Sequence, residues 1–121
     1  MAKNLAFVIE DDEDLSDIFT RALEGAGFEV ETIRDGKAAQ QRLEQDVVPN
    51  VIALDLHLPH VDGAALLKQI HADERFTKTR VILTTADAIQ AEYLRDKVDI
   101  VLVKPILYTQ LRDISKRLKA E

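Results

Sequence analysis

Three acids, a threonine and a lysine are the residues of this chain whose types and places could do chemistry. Asp55 follows the unbroken apolar run Val51-Ile-Ala-Leu54, the pattern of a strand buried on both faces. Leu58-Pro59 ends that run, since proline lacks the N–H a central strand must donate, and Asp62-Gly63 marks a turn or cap before a helical pattern. Glu10 and Asp11 follow a second apolar run, Leu5 to Ile9. Thr85 closes a third, and Lys104-Pro105 halts a fourth. Each group thus stands at the carboxyl end of a strand, where open α/β sheets bind their ligands.

Each has a plain structural explanation as well. A strand-ending Asp accepts N–H bonds from its loop, Thr suits strands because it is β-branched, and a lysine can simply stop a hydrophobic run. Asp12, Glu13 and Asp14 are read as the acidic first turn of a helix, which offsets the macrodipole there. Glu10 and Asp11 precede that helix, so this explanation covers them less well. Taken jointly, carboxylates, a hydroxyl and an ammonium around one Asp form a set that could hold a transferring phosphoryl group.

The elements that must position them follow from periodicity. After the first strand, Leu15, Ile18, Phe19, Ala22 and Leu23 trace one face of a helix, which Gly25 and Gly27 stop. Residues 28–32 alternate as a strand nearer an edge, and Asp35-Gly36 turns into a weaker helix ending before Pro49. The strand leading to Asp55 is followed by a helix over 64–74, with Leu66, Leu67 and Ile70 inward. The strand ending at Thr85 precedes a helix over 87–96, with Ala88, Ala91, Tyr93 and Leu94 as packing residues. A strand over 99–103 and a helix carrying the stripe Leu107, Leu111, Ile114 and Leu118 complete the chain.

Five β-α units without a linker predict an α/β, flavodoxin-like, doubly wound fold: a five-stranded parallel sheet of order 2-1-3-4-5 with helices on both faces. The 121 residues fit one domain, 1–121. In that order the first and third strands are neighbours, so Glu10, Asp11 and Asp55 crowd one crevice. Like charges so placed destabilise the fold unless something cancels them, and Mg²⁺, a hard cation taking oxygen ligands, is the economical answer.

Composition sets the outer limits. With 46% hydrophobic and 31% charged residues, the chain can bury a core and cover it. It has no cysteine, which excludes disulfides, thiolate metal sites and a cysteine nucleophile. The net charge of −6 argues against direct nucleic-acid binding, which needs a basic stripe. No signal segment and no membrane-length apolar run is visible, so a soluble, cytoplasmic protein is expected. His57-Leu-Pro-His60 suggests zinc only weakly, as a Pro-containing loop with no third ligand nearby.

Glu10-Asp11, Asp55-Leu-His-Leu-Pro59 with Asp62-Gly63, Thr85-Ala86 and Lys104-Pro105 form an ordered set that resembles the receiver domain of bacterial two-component response regulators. The resemblance covers essentially the whole chain. It implies that Asp55 is a phosphoacceptor, taking a phosphoryl group from a phosphohistidine on a sensor histidine kinase or histidine phosphotransfer protein. It further implies Mg²⁺ held by Asp11, by Asp55 and by the backbone carbonyl of His57, with Glu10 acting through water. Lys104 then pairs with Asp55 or a phosphoryl oxygen, while the Thr85 hydroxyl and the Ala86 N–H donate to the phosphoryl group. The Lys104-Pro105 bond is expected to be cis. Such a domain catalyses only its own phosphorylation and dephosphorylation, and it switches a surface read by a downstream protein.

One position departs from the family pattern. Val101 stands where an aromatic residue usually turns inward as the switch threonine, here Thr85, moves. The segment from Thr85 to Lys104 is also short. Output through the face of the fourth helix, fifth strand and fifth helix, also a candidate homodimer surface, is therefore expected to be atypical. His57 and Asp87, each two residues past a site residue, are expected to tune hydrolysis of the acyl phosphate. The chain stops after its fifth helix, so either a stand-alone receiver or a piece of a longer regulator is expected.

Three rivals bear comparison. A pseudo-receiver of the same fold would signal without phosphate, but the intact acid, Thr and Lys set argues against it. A flavin carrier needs a Gly/Ser/Thr-rich phosphate loop after the first strand, where acids stand instead. A metal-dependent phosphatase needs a second acid close to its nucleophile and a cap over its substrate.

Overall fold

The computed structural model describes residues 4–119. Five parallel strands, β1 (Leu5–Ile9), β2 (Glu29–Ile33), β3 (Val51–Asp55), β4 (Arg80–Thr85) and β5 (Ile100–Val103), form one sheet. Their order is β2-β1-β3-β4-β5, as the alternation of elements predicts. The helices are α1 (Glu13–Gly25), α2 (Gly36–Leu43), α3 (Gly63–Ala72), α4 (Ala88–Leu94) and α5 (Tyr108–Arg117). Short 3₁₀ turns at Glu74–Phe76 and Arg95–Lys97 follow α3 and α4.

Strand side chains alternate between two cores because the side-chain period of a strand is two. Phe7, Ile9, Ile52, Leu54, Val81 and Leu83 pack with Leu43, Leu66 and Ile70 on the α2–α3 side. Ala6, Val8, Val51, Ala53 and Ile82 pack with Phe19, Leu23 and Leu111 on the α1–α5 side. The central strand β3 is buried along its whole length, which is why its sequence is apolar without alternation.

Helix starts follow local chemistry. Asp12, Asp35, Asp62 and Asp87 each stand at an N-cap and accept N–H bonds from the first turn, satisfying donors that have no helical partner. Glu13 and Asp14 lie in the first turn of α1, the place their charge predicts.

The sequence pattern misplaces four side chains, the first of them Ile18, which is read on the inward face of α1 and is 38% exposed. Tyr93 is 75% exposed and Leu107 68%, and Ala88 is exposed as well, so none of them packs as the periodicity suggests. Helix α4 has only seven residues and buries only Ala91. A helix this short presents too few turns for a stripe, and the last residues expected in it have tightened into the 3₁₀ turn. No helix among the described residues is long and apolar enough to cross a membrane.

Candidate functional site

The carboxyl edge of the sheet brings β1, β3 and β5 ends together around Asp55. Register places Ile9 beside Leu54, and Asp55 beside Thr84, so Glu10 and Asp55 leave adjacent strands at the same height. Both are buried, Asp55 at 3% and Glu10 at 1% exposure, whereas Asp11 is exposed. One carboxylate oxygen from each of Glu10, Asp11 and Asp55 lies within 4.8 Å of the others, and they form the one group of three metal-ligating side chains among the described residues. An all-oxygen donor set with one exposed member suits a hard cation that keeps part of its water shell. The two loop histidines, His57 and His60, are exposed and outside this group.

Lys104 reaches into the same crevice. Its Nζ stands 3.0 Å from Glu10 Oε1 and 3.3 Å from Asp55 Oδ1. The backbone makes this possible: the Lys104 N–H donates to the Thr85 carbonyl at 2.7 Å, prolonging the β4–β5 ladder to the crevice. The Lys104–Pro105 bond is cis, as the resemblance implies. The contact with Glu10 is one the sequence reading missed. These residues are 94 positions apart, 104 less 10, and nothing local signals the pair.

Electrostatics follow from crowding. Burial pushes the Glu10 carboxyl up to about 7, and the Asp55 charge pushes the same way. The Lys104 hydrogen bond and the Asp12 N–H offset part of that rise. For Lys104 itself, burial acts to lower the pKa, but the bond to Glu10 and the charge of Asp55 outweigh it and raise it. The lysine is thus held charged while its attraction only partly relieves Glu10. This is a site with unmet demand for positive charge.

The loop after β3 holds Asp55 in place. The His57 N–H donates to Asp55 Oδ1 at 3.1 Å, and the Leu56 N–H to the Thr84 carbonyl at 2.9 Å. Gly63 packs against the backbone of Asp55 and Leu56, so closely that a Cβ there would lie 2.5 Å from the Leu56 carbonyl oxygen. The loop between them contains a three-residue turn in which the Val61 N–H donates to Pro59 O at 2.8 Å, with His60 at φ 71°. That is the rare, positive-φ form of such a turn, and Pro59-His60 carries no sequence signal for it.

Thr85 and Ala86 lie beside this edge, at the end of β4. Thr85 is fully buried, and its Oγ1 accepts the Asp87 N–H at 3.0 Å, while Ala86 is exposed. Val101 sits in β5 opposite Leu83, 8% exposed, within the α2–α3 core. The Asp87 carboxylate is engaged with the Ile89 and Gln90 N–H groups of α4. A concavity of about 770 Å³ lies at the opposite edge of the sheet, lined by Phe76, Lys78, Arg80, Asp96 and Asp99 among others. It mixes both signs of charge and is far from the strand ends that carry the acids.

Comparison with known proteins agrees with this geometry. Residues 6–116 match the response regulator receiver domain family. The phosphate regulon transcriptional regulatory protein PhoB of Rhizobium meliloti is 33% identical over 94% of this chain, which spans 53% of that protein. The DNA-binding transcriptional regulator NtrC of Klebsiella pneumoniae is 34% identical over 82% of the chain, which spans 21% of it. The chain thus corresponds to about half or less of these regulators, and their DNA binding is a property of theirs. Among solved structures, the receiver domain of the sensor histidine kinase PA1611 of Pseudomonas aeruginosa has a TM-score of 0.83 and 26% identity, over 97% of this chain and 98% of that one. That structure holds a magnesium ion in its active-site cleft. The chemotaxis response regulator CheY4 of Vibrio cholerae has a TM-score of 0.84 over 97% of this chain and 99% of its own, and its 22% identity attests to the fold.

Proposed function

This chain belongs to the response regulator receiver domain family of two-component systems, and from that premise we propose that Asp55 accepts a phosphoryl group from a phosphohistidine. The donor is a sensor histidine kinase or a histidine phosphotransfer protein. A carboxylate oxygen of Asp55 attacks phosphorus, an O–P bond forms, and the P–N bond breaks with its electron pair remaining on the imidazole.

Each neighbour has a task in that reaction. The His57 N–H bond to Oδ1 orients the carboxylate and leaves Oδ2 free to attack. Lys104 turns its ammonium from the carboxylates to a phosphoryl oxygen as negative charge gathers there, and the Thr85 hydroxyl and Ala86 N–H donate to the others. Mg²⁺, when bound by Asp11, Asp55 and the His57 carbonyl with Glu10 acting through water, supplies further positive charge to the phosphoryl oxygens. The phosphorylated domain then presents an altered surface to a downstream protein, shifting an equilibrium between two states.

The observation that most supports this reading is the pair of buried carboxylates, Glu10 and Asp55, against the half-buried Lys104, with Asp11 at the exposed rim. Two buried carboxylates sharing one ammonium would be a costly way to stabilise a fold, but they suit a site that receives a cation and a phosphoryl group. Incubation with acetyl phosphate and Mg²⁺, followed by intact mass, tests it. One phosphoryl adduct is expected in the native protein and none in Asp55→Asn. No adduct in the native protein would favour a pseudo-receiver that signals by contact alone.

A further inference from the structure

Gly36 opens α2 and is buried. Its backbone does not call for glycine, since Gly27 is the one glycine with positive φ among the described residues. Space calls for it. A Cβ at Gly36 would lie 2.7 Å from Val61 Cβ and closer still to the Val61 carbonyl oxygen, a backbone atom that no side-chain rotation moves aside. Alanine suits a helix better than glycine does, so the bare position runs against the helix's own preference and serves this contact.

Val61 belongs to the loop that leaves Asp55. Within that loop the His57 N–H holds Asp55 Oδ1 at 3.1 Å, and the Val61 N–H donates to Pro59 O at 2.8 Å. The Gly63 N–H returns to the Leu56 carbonyl at 3.1 Å, so α3 closes the loop from its own end. The contact at Gly36 is of another kind, because it brings in a separate element. Through it α2 stops the loop on its far side without contributing any group to the crevice.

If the two are pressed together, the loop is the side that yields. Helix α2 is held along its length. Ala39 and Leu43 are fully buried, the Gln69 amide donates to the Gln40 carbonyl at 3.1 Å, and Arg42 pairs with Glu31 of β2. Arg75 donates to the carbonyls of Leu43 and Gln45 at 2.7 and 2.6 Å. The loop has no such hold: His57, Pro59, His60 and Asp62 are exposed, and Leu58 and Val61 are half-buried. We propose that Gly36 is a positioning residue for Asp55: the bare first turn of α2 seats Val61 and so fixes the loop whose His57 N–H orients the acceptor carboxylate. This rests on the phosphoacceptor reading above, in which the His57 carbonyl also belongs to the Mg²⁺ set.

Three readouts test the seat: the NMR resonance of the His57 amide, the Mg²⁺ dissociation constant, and the rate at which acetyl phosphate forms the Asp55 adduct, followed by intact mass. In Gly36→Ala the His57 resonance should move and Mg²⁺ binding should weaken about tenfold. Adduct formation should slow by about the same factor, as displaced supporting groups do elsewhere. Lys37→Ala, exposed on the same turn, should keep native values in all three. Val61→Gly empties the seat instead of overfilling it and should weaken Mg²⁺ binding as well. The double variant should lose less than the product of the two single losses, because the added methyl takes the vacated place. A folded Gly36→Ala protein with a native His57 resonance and native Mg²⁺ affinity would overturn the proposal, and so would losses that multiply. Should Gly36→Ala not fold, Val61→Gly decides alone, and native values there would overturn it. Failure of the native protein to form the adduct would instead overturn the functional reading, while the His57 resonance, which needs neither metal nor phosphate, still judges the seat.

Discussion

Asp55 and Asp87 flank the same crevice, yet the chain holds them in opposite ways. Asp55 ends a strand with neighbours on both sides, is 3% exposed, and is fixed by the His57 N–H, by Lys104 and by the loop closed at Gly63. Asp87 is exposed, and the helix it starts buries one residue. The difference has a physical sense. A group that must meet developing charge works best when it needs no reorganisation. A segment held by few contacts opens locally at little cost.

The contrast can be broken most severely at Gly63. A side chain there would press on the carbonyl oxygens of Asp55 and Leu56 and lie 2.6 Å from Leu56 Cα, backbone atoms that cannot rotate away. Gly63→Ala should cost about 3 kcal/mol, at the upper end of overpacking effects, measured by urea unfolding. A cost below about 1 kcal/mol would mean the loop that follows Asp55 is as yielding as α4.

Next comes pH. The Glu10 carboxyl has its ordinary value of 4.5 when unfolded, and burial in the fold pushes it up to about 7. Between those values the folded protein binds the extra proton, so this residue makes stability fall as pH rises through the window. In metal-free protein the loss between pH 5 and 8 should be on the order of 2–3 kcal/mol. Glu10→Gln should flatten the profile, and so should Mg²⁺, which favours the carboxylate. Parallel profiles for the native and Glu10→Gln proteins would show that the acid cluster carries no such strain.

Val101→Ala removes two methyl groups from a nearly closed core position and should cost about 2 kcal/mol in thermal or urea unfolding, with the Asp55 adduct still formed. An adduct lost in a folded Val101→Ala protein would mean that the acceptor end leans on β5 more than its contacts suggest. The smallest effect belongs to Ile89→Ser: at 84% exposure it should change stability by less than about 0.5 kcal/mol. A larger loss would reveal packing under α4 and weaken the contrast from the other side.

Much of the fold was legible in residues close together along the chain. The apolar runs at Leu5, Val51 and Arg80 mark strands β1, β3 and β4 to within a residue, because a strand buried on both faces has no choice but to be apolar. The acids at 12, 35, 62 and 87 mark helix starts, because an N-cap is satisfied within three residues. Glu10, Asp11, Asp55, Thr85 and Lys104 could be nominated from strand ends alone, since strand order brings those ends to one edge.

Tertiary structure decided what those residues do to one another. That Lys104 is shared between Glu10 and Asp55, and that Glu10 is driven toward neutrality, depends on side-chain directions and burial that no local spacing encodes. Tyr93 reads as a packing residue in the sequence and stands 75% exposed in the fold, since a short helix takes its orientation from what it packs on. Arg75 reaches the carbonyls of Leu43 and Gln45, some thirty residues away, to tie the turn after α3 to the end of α2. Periodicity and capping are local interactions, so the sequence displays them; charge pairing and burial are set by neighbours distant in the chain, and they exist only once the sheet has assembled.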